Sequence, residues 1–297
     1  MAKQYQRAGR RFVVTARDLS LFKLIYQNRF ADSKAIKAKF WPGSANKNYY
    51  RRLKLLIDRG YLTRLRGDSG FSLGYQLTRK ALKTLRQDGT KLLGTVRTKP
   101  LYTTSYRHDK CLIRLREVFE SSPLITHYVP EHELRAALAR RHGMQEKRDE
   151  RYKVPDGIFQ LRTHKGGFTV ALELELAIKS TTRYARMMKQ LCISEDFTVI
   201  FFVGENVQIL NILEQHLAQV RTTDRLVKMW KPRHAFYFAL LSDFLELKLK
   251  APIKGEGAVL VLDDVARNMG VSPPKNESQP ETRVLTLEKE KPNSYRR

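Results

Sequence analysis

Residues 154–176 constrain this chain more tightly than any other stretch. Two runs flank a Gly166-Gly167 pair: Val154-Pro155-Asp156-Gly157-Ile158-Phe159-Gln160-Leu161, then Phe168-Thr169-Val170-Ala171-Leu172-Glu173-Leu174-Glu175-Leu176. Side chains alternate across a strand, so Val170, Leu172, Leu174 and Leu176 share one face while Thr169, Ala171, Glu173 and Glu175 share the other. The pattern predicts a β-hairpin whose first face is core. A reversal centred on Lys165-Gly166 sets Asp156 opposite Glu175, and one centred on His164-Lys165 sets it opposite Glu173. Either register gathers three carboxylates on one face, whereas a half-step shift or a bulge separates them.

Like charges that face each other across strands destabilise a hairpin. At roughly 5 Å and an effective dielectric of about 20, each pair costs about 3 kcal/mol. Three such acids therefore need exposure, proton uptake or a bound cation. The plain alternative is a solvated face of an edge hairpin. An all-oxygen donor set with few protein ligands suits Mg²⁺ or Mn²⁺, which keep waters and bind phosphate oxygens.

A chain of 297 residues is long enough for two domains, each with its own core. Its net charge of +26 is unevenly placed: residues 1–100 hold 24 Lys and Arg against five Asp, and the remaining residues hold 32 against 25 acids. A basic surface of this kind neutralises phosphates, so the first third is the expected polyanion-binding part. An acidic membrane would favour a single amphipathic basic helix, but this charge is spread over several elements. No apolar run approaches the ~20 residues of a membrane helix. The polar, basic start lacks a secretory signal, and a cytoplasmic location is expected. Cys111 and Cys192 lack metal-ligand spacing and fit reduced thiols.

In the basic third, Leu19, Phe22 and Ile25 mark a helix over 16–27. Asp32 is placed to cap a short second helix through Phe40. A third, from about Asn46 to Arg59, ends at Gly60. Tyr49, Leu53, Leu56 and Ile57 form its apolar stripe. Its other face carries Lys47, Asn48, Arg51, Arg52 and Lys54, suited to a major groove and its phosphates. Two strands over 61–66 and 71–77 follow, joined by Gly67-Asp68-Ser69-Gly70, and Thr78 starts a fourth helix. Arg64 and Arg66 on the first strand are expected to reach phosphate or minor groove. The order helix, helix, helix, hairpin, helix is that of a winged helix-turn-helix over residues 1–95.

Beyond a loop-like stretch near 95–104, the pattern predicts a helix over 108–121, a strand over 124–129 leading to Glu131-His132-Glu133, and then the acidic hairpin. A helix over about 181–194 follows, capped near Ser180. Phe197 to Val203 reads as a buried central strand, Asn206 to Val220 as a helix and His234 to Leu241 as a strand. The whole is a mixed α/β core covered by helices. Residues 271–297, with Pro273-Pro274, Pro280 and Pro292 among charges, read as a tail.

Pro155-Asp156 followed by Glu173-x-Glu175, inside an α-β-β-β-α-β order, resembles the PD-(D/E)xK nuclease superfamily. With a winged helix in front, the chain resembles the replication-relaxation group and the MobC-class relaxases of mobilisable plasmids and conjugative elements. The resemblance implies a nuclease-like domain over 104–270 and metal-dependent nicking of double-stranded DNA at an origin. It implies accessory mobilisation proteins or a coupling ATPase as partners, without membrane insertion. Position by position it assigns His132, Asp156, Glu173 and Glu175 to catalysis, with Asp156, Glu173 and Glu175 as ligands of Mg²⁺ or Mn²⁺. Glu175 stands where the superfamily has Lys, leaving Lys179 or Lys189 to reach back. Glu133 and Glu117 are supporting candidates. A Gly-x-x-x-x-Gly-Lys-Ser/Thr phosphate loop is absent, which argues against ATP use, and no His-x-His accompanies a nucleophilic Tyr. The alternatives are a DNA-binding replication or transcription factor with a vestigial core, and a defence or transposition nuclease.

Overall fold

The computed structural model describes residues 12–44, 46–66, 72–92, 103–142, 153–163, 166–194, 196–224, 227, 234–255 and 258–269. The expected turn at 67–70, the reversal at 164–165 and the tail at 271–297 lie outside them. The chain divides into two compact units, 1–109 and 110–297.

The first unit contains α1 (Ala16–Asn28), α2 (Ser33–Phe40), α3 (Asn46–Asp58), β1 (Leu62–Arg66), β2 (Ser72–Leu77) and α4 (Arg79–Gln87). Local chemistry sets their ends. Thr15 and Asp18 form a reciprocal capping box at α1. Asp32 accepts from the Ala35 amide at 2.7 Å to start α2, and Thr78 caps α4. After α3, Gly60 takes a left-handed φ of 72°, and the Tyr61 amide donates to the Leu56 carbonyl at 2.9 Å. β1 and β2 pair antiparallel, Leu62 opposite Leu77. Ala31 and Tyr75 exchange two backbone hydrogen bonds, extending the ribbon by one bridge. That close approach explains Gly74: a Cβ there would lie 2.5 Å from the Ala31 carbonyl oxygen. Phe22, Ile25, Ile36, Tyr49, Leu53, Leu56, Leu77 and Leu85 make the core, so the predicted stripe of α3 is the buried one.

The division between the units falls inside α5 (Thr103–Glu120). The second unit continues with β3 (Ile125–Pro130), α6 (Glu131–His142), β4 (Gly157–Thr163), β5 (Gly166–Glu175), α7 (Thr181–Cys192), β6 (Val199–Gly204), α8 (Val207–Thr223) and β7 (Ala235–Leu240). It closes with α9 (Leu241–Leu247), β8 (Pro252–Gly255), β9 (Ala258–Val261) and α10 (Leu262–Asn268). The strands form one seven-stranded sheet in the order β3-β4-β5-β6-β7-β8-β9. β5, β6 and β7 run parallel, and the other pairings are antiparallel.

Helices cover both faces of this sheet, and each face has its own core. Leu115 and Phe119 of α5 and Phe244 of α9 pack with Val170, Leu172 and Leu174. Tyr184, Met188 and Leu191 of α7 and Ile209, Leu213 and Leu217 of α8 pack on the opposite face with Ala171, Phe202 and Phe238. The acidic face of β5 is thus an interior face, and the alternative of a solvated edge hairpin does not hold. β4 and β5 are inner strands, and α7 and α8 roof this side.

Candidate functional site

Among the residues predicted to meet nucleic acid, Lys47, Asn48, Arg51 and Lys54 are exposed on α3, and Arg64 and Arg66 are exposed on β1. Lys54 spends part of its charge on Asp58, one turn on, at 2.8 Å. Arg52 is differently employed. Its Nε donates to Asp18 Oδ1 at 3.0 Å, and its Nη2 donates to Asp18 Oδ2 and, at 2.9 Å, to the Val13 carbonyl. The guanidinium also lies 5.1 Å from the Phe12 ring centroid. Asp18 has no exposed surface and further accepts from the Thr15 amide and hydroxyl. Burial alone would raise the Asp18 carboxyl, but Arg52 and Thr15 outweigh it and hold the group below its usual value. Arg52 therefore ties α3 to the start of α1. Beside this clamp lies a cavity of ≈ 890 Å³, bordered by Arg17, Trp41, Asn48 and Arg51.

In the second unit the hairpin takes the second of the two expected registers. Gly157 pairs with Leu172 and Ile158 with Ala171, which brings Asp156 level with Glu173. The Asp156 amide donates to the Leu172 carbonyl at 3.0 Å, and its Oδ2 accepts from the Leu174 amide at 2.8 Å. Ile158 and Ala171 pack on the α7/α8 side, Glu173 and Glu175 follow the same alternation along β5, and Asp156 sits in the bend just before β4. Glu173 and Glu175 are only 2 % and 1 % exposed.

The structure answers the question of what compensates these acids. Lys153 Nζ lies 2.6 and 2.8 Å from the two carboxylate oxygens of Glu173, and Lys179 pairs with Glu175 Oε1. Burial pushes the Glu173 carboxyl up to about 8; Lys153 opposes the shift, and Asp156 and Glu175 reinforce it. Burial likewise raises Glu175, against the pull of Lys179. Lys153 is pulled down by its own burial, but Glu173 and Asp156 more than offset this, so its ammonium is held charged. Glu175 Oε2 is buried with no hydrogen-bond partner among the described residues. The acids thus combine two remedies: cationic partners, and a shift toward the protonated form.

His132 sits in the first turn of α6, which begins where the Glu131 amide donates to the Asp156 carbonyl at 3.0 Å. Backbone pairing therefore ties the His132 segment to the Asp156 segment. In the same region β3 carries a bulge between Thr126 and Val129, with His127 at φ 55°. The bulge lets the Tyr128 ring cover Gly157, where a Cβ would lie 2.5 Å from the Tyr128 hydroxyl. Arg116 lies 5.1 Å from the centroid of the same ring. Burial raises Glu133, while Glu117 is exposed. Lys189 is occupied by Asp224 at 2.9 Å and does not serve the acids. Lys153, absent from the sequence-based assignment, is the additional site residue. Its only local signal was a lysine three positions before Asp156.

Among the described residues, no group of three or more His, Cys, Asp or Glu is arranged as a metal centre. No helix among them is long and apolar enough to cross a membrane. Comparison with family models, with curated proteins and with solved structures found no match.

Proposed function

We propose that this protein is a DNA-binding, metal-dependent endonuclease of relaxase type, which nicks one strand at a plasmid or conjugative-element origin. The first unit acts as a winged helix-turn-helix, with α3 as reader and β1-β2 as wing; its helix, helix, helix, hairpin, helix order and the exposed Lys47, Asn48, Arg51, Arg64 and Arg66 support that reading. The second unit acts as a PD-(D/E)xK-like core, supported by its α5-β3-α6-β4-β5-α7-β6 succession, which follows that order with α6 inserted between β3 and β4. One observation carries the catalytic half. Glu173 and Glu175 lie on one face of β5 with Asp156 in the bend beside them, the three charges interact, and the buried Glu175 Oε2 has no hydrogen-bond partner among the described residues.

The donor chemistry fits a hard divalent cation: Asp156, Glu173 and Glu175 would hold Mg²⁺ or Mn²⁺. When bound, such an ion polarises the scissile phosphate and lowers the pKa of a water. The chain's own residues do the remainder. Asp156 is oriented by the Leu174 amide, Lys179 balances the charge of Glu175, and His132 lies on the adjoining turn as a proton donor or acceptor.

A second reading, a DNA-binding factor with a vestigial core, is favoured by the same two lysine pairs, which neutralise the acids without any metal. Supercoiled plasmid carrying origin DNA, incubated with Mg²⁺ or Mn²⁺ and scored for open circle, separates the two. Nicking by the wild type, lost in Asp156→Ala and Glu173→Ala with duplex binding retained, is the expected result. Nicking that persists in both variants removes the site assignment, and a wild type that binds but never nicks favours the factor.

A further inference from the structure

Lys153 contacts both oxygens of Glu173, at 2.6 and 2.8 Å, and so stands where a cation chelated by that carboxylate would stand. It also donates to the Val154 carbonyl at 3.0 Å, and Asp156 and Glu131 add to the negative potential around it. Glu173 is 2 % exposed and the Lys153 side chain 26 % exposed, so the lysine reaches solvent along part of its length while its ammonium sits against the buried carboxylate. An ammonium and a divalent ion cannot both lie against one carboxylate without strong repulsion. A lysine leaving Glu173 needs another anion, because an unpaired, half-buried ammonium is costly. Its long flexible stem lets it swing outward.

We infer that Lys153 is a tethered competitor for the divalent ion, and that a DNA phosphodiester draws it away from Glu173, so that metal uptake and duplex binding favour each other. This rests on the carboxylates being a metal site, as proposed above. Lys153 is then a positioning residue. It holds the site closed to the ion in the absence of nucleic acid, and it grips the backbone phosphate once the ion enters.

The test is Mn²⁺ titration of the full chain, followed by water-proton relaxation, with and without a phosphorothioate duplex oligonucleotide. In the wild type the duplex should tighten Mn²⁺ binding about tenfold, within the usual range of coupling between sites. Lys153→Met should bind Mn²⁺ about tenfold more tightly than wild type without DNA, and the duplex should then add little. Lys153→Gln, which still hydrogen-bonds to Glu173, replaces it should the Met variant melt early, with the same expectation. Lys153→Arg, which keeps the charge, should retain the weak Mn²⁺ binding of the wild type. Equal Mn²⁺ affinity in wild type and charge-removed variants overturns the inference but leaves the metal site standing. Absence of Mn²⁺ binding in every protein, with or without duplex, overturns the site reading together with the inference.

Discussion

Arg52→Ala is the most informative single perturbation of the first unit. Truncation removes two donors to Asp18, one to the Val13 carbonyl and the stacking on Phe12, leaving a fully buried carboxylate with only Thr15 as partner. Breaking a buried ion pair from one side costs about 3–5 kcal/mol. Because the Arg52 side chain is itself 23 % exposed, water partly replaces it, and the lower end, about 3 kcal/mol, is expected. Urea unfolding followed by tryptophan fluorescence reads this directly, since Trp41 lies in the same core. The double variant Asp18→Asn/Arg52→Met, which removes both charges together, should recover more than half of the loss. The companion Arg51→Ala should leave stability within ~0.5 kcal/mol of wild type, as surface substitutions do. An Arg52→Ala protein that loses less than about 1 kcal/mol yet fails to bind DNA would refute the clamp and make Arg52 a direct nucleic-acid contact.

Arg51→Ala should weaken duplex binding uniformly across sequences and reduce the salt slope by about one, measured by fluorescence anisotropy over a salt series; an unchanged slope removes Arg51 from the phosphate contacts. The folded pKa of Asp18 lies below its ordinary 3.8, so its contribution is present above pH 3.8 and is lost as pH falls through the lower folded value. Acid melts of Asp18→Asn should therefore lose less stability over that interval than the wild type, and parallel curves would count against the ion pair. Gly74→Ala should destabilise by about 2 kcal/mol or more in thermal melts, because its φ of 152° and the Ala31 backbone leave no room; a silent substitution would contradict the bridge between Ala31 and Tyr75.

Much of the first unit was legible because its signals are local. Asp32, Gly60 and Thr78 mark element ends within a few residues of the groups they satisfy, and the stripe of Tyr49, Leu53 and Leu56 reports its own burial through helical spacing. Alternation named two hairpin registers that gather the acids and left a half-step shift or a bulge open; the structure holds one of the two. What sequence left unread depends on distance along the chain. Arg52 meets Asp18 across 34 positions, and Lys153 meets Glu173 across 20. No periodicity announces either pair. For Glu173 and Glu175, exposure, proton uptake and a bound cation all stayed open because a strand pattern does not say what roofs it, and the roof here is α7 and α8. β8, β9 and the short helices α9 and α10 span only four to seven residues each, too few for a periodic signal to stand out.

The central claim is that Asp156, Glu173 and Glu175 share one divalent ion beside a DNA phosphate. Anomalous scattering from crystals of the full chain, grown with Mn²⁺ and a phosphorothioate duplex, measures this directly. The account predicts a peak about 2.1 Å from oxygens of these three residues, with Lys153 turned from Glu173 toward phosphate. Contrary evidence would be a Mn²⁺ peak elsewhere, or none, with Lys153 and Lys179 still seated on Glu173 and Glu175 while DNA is bound.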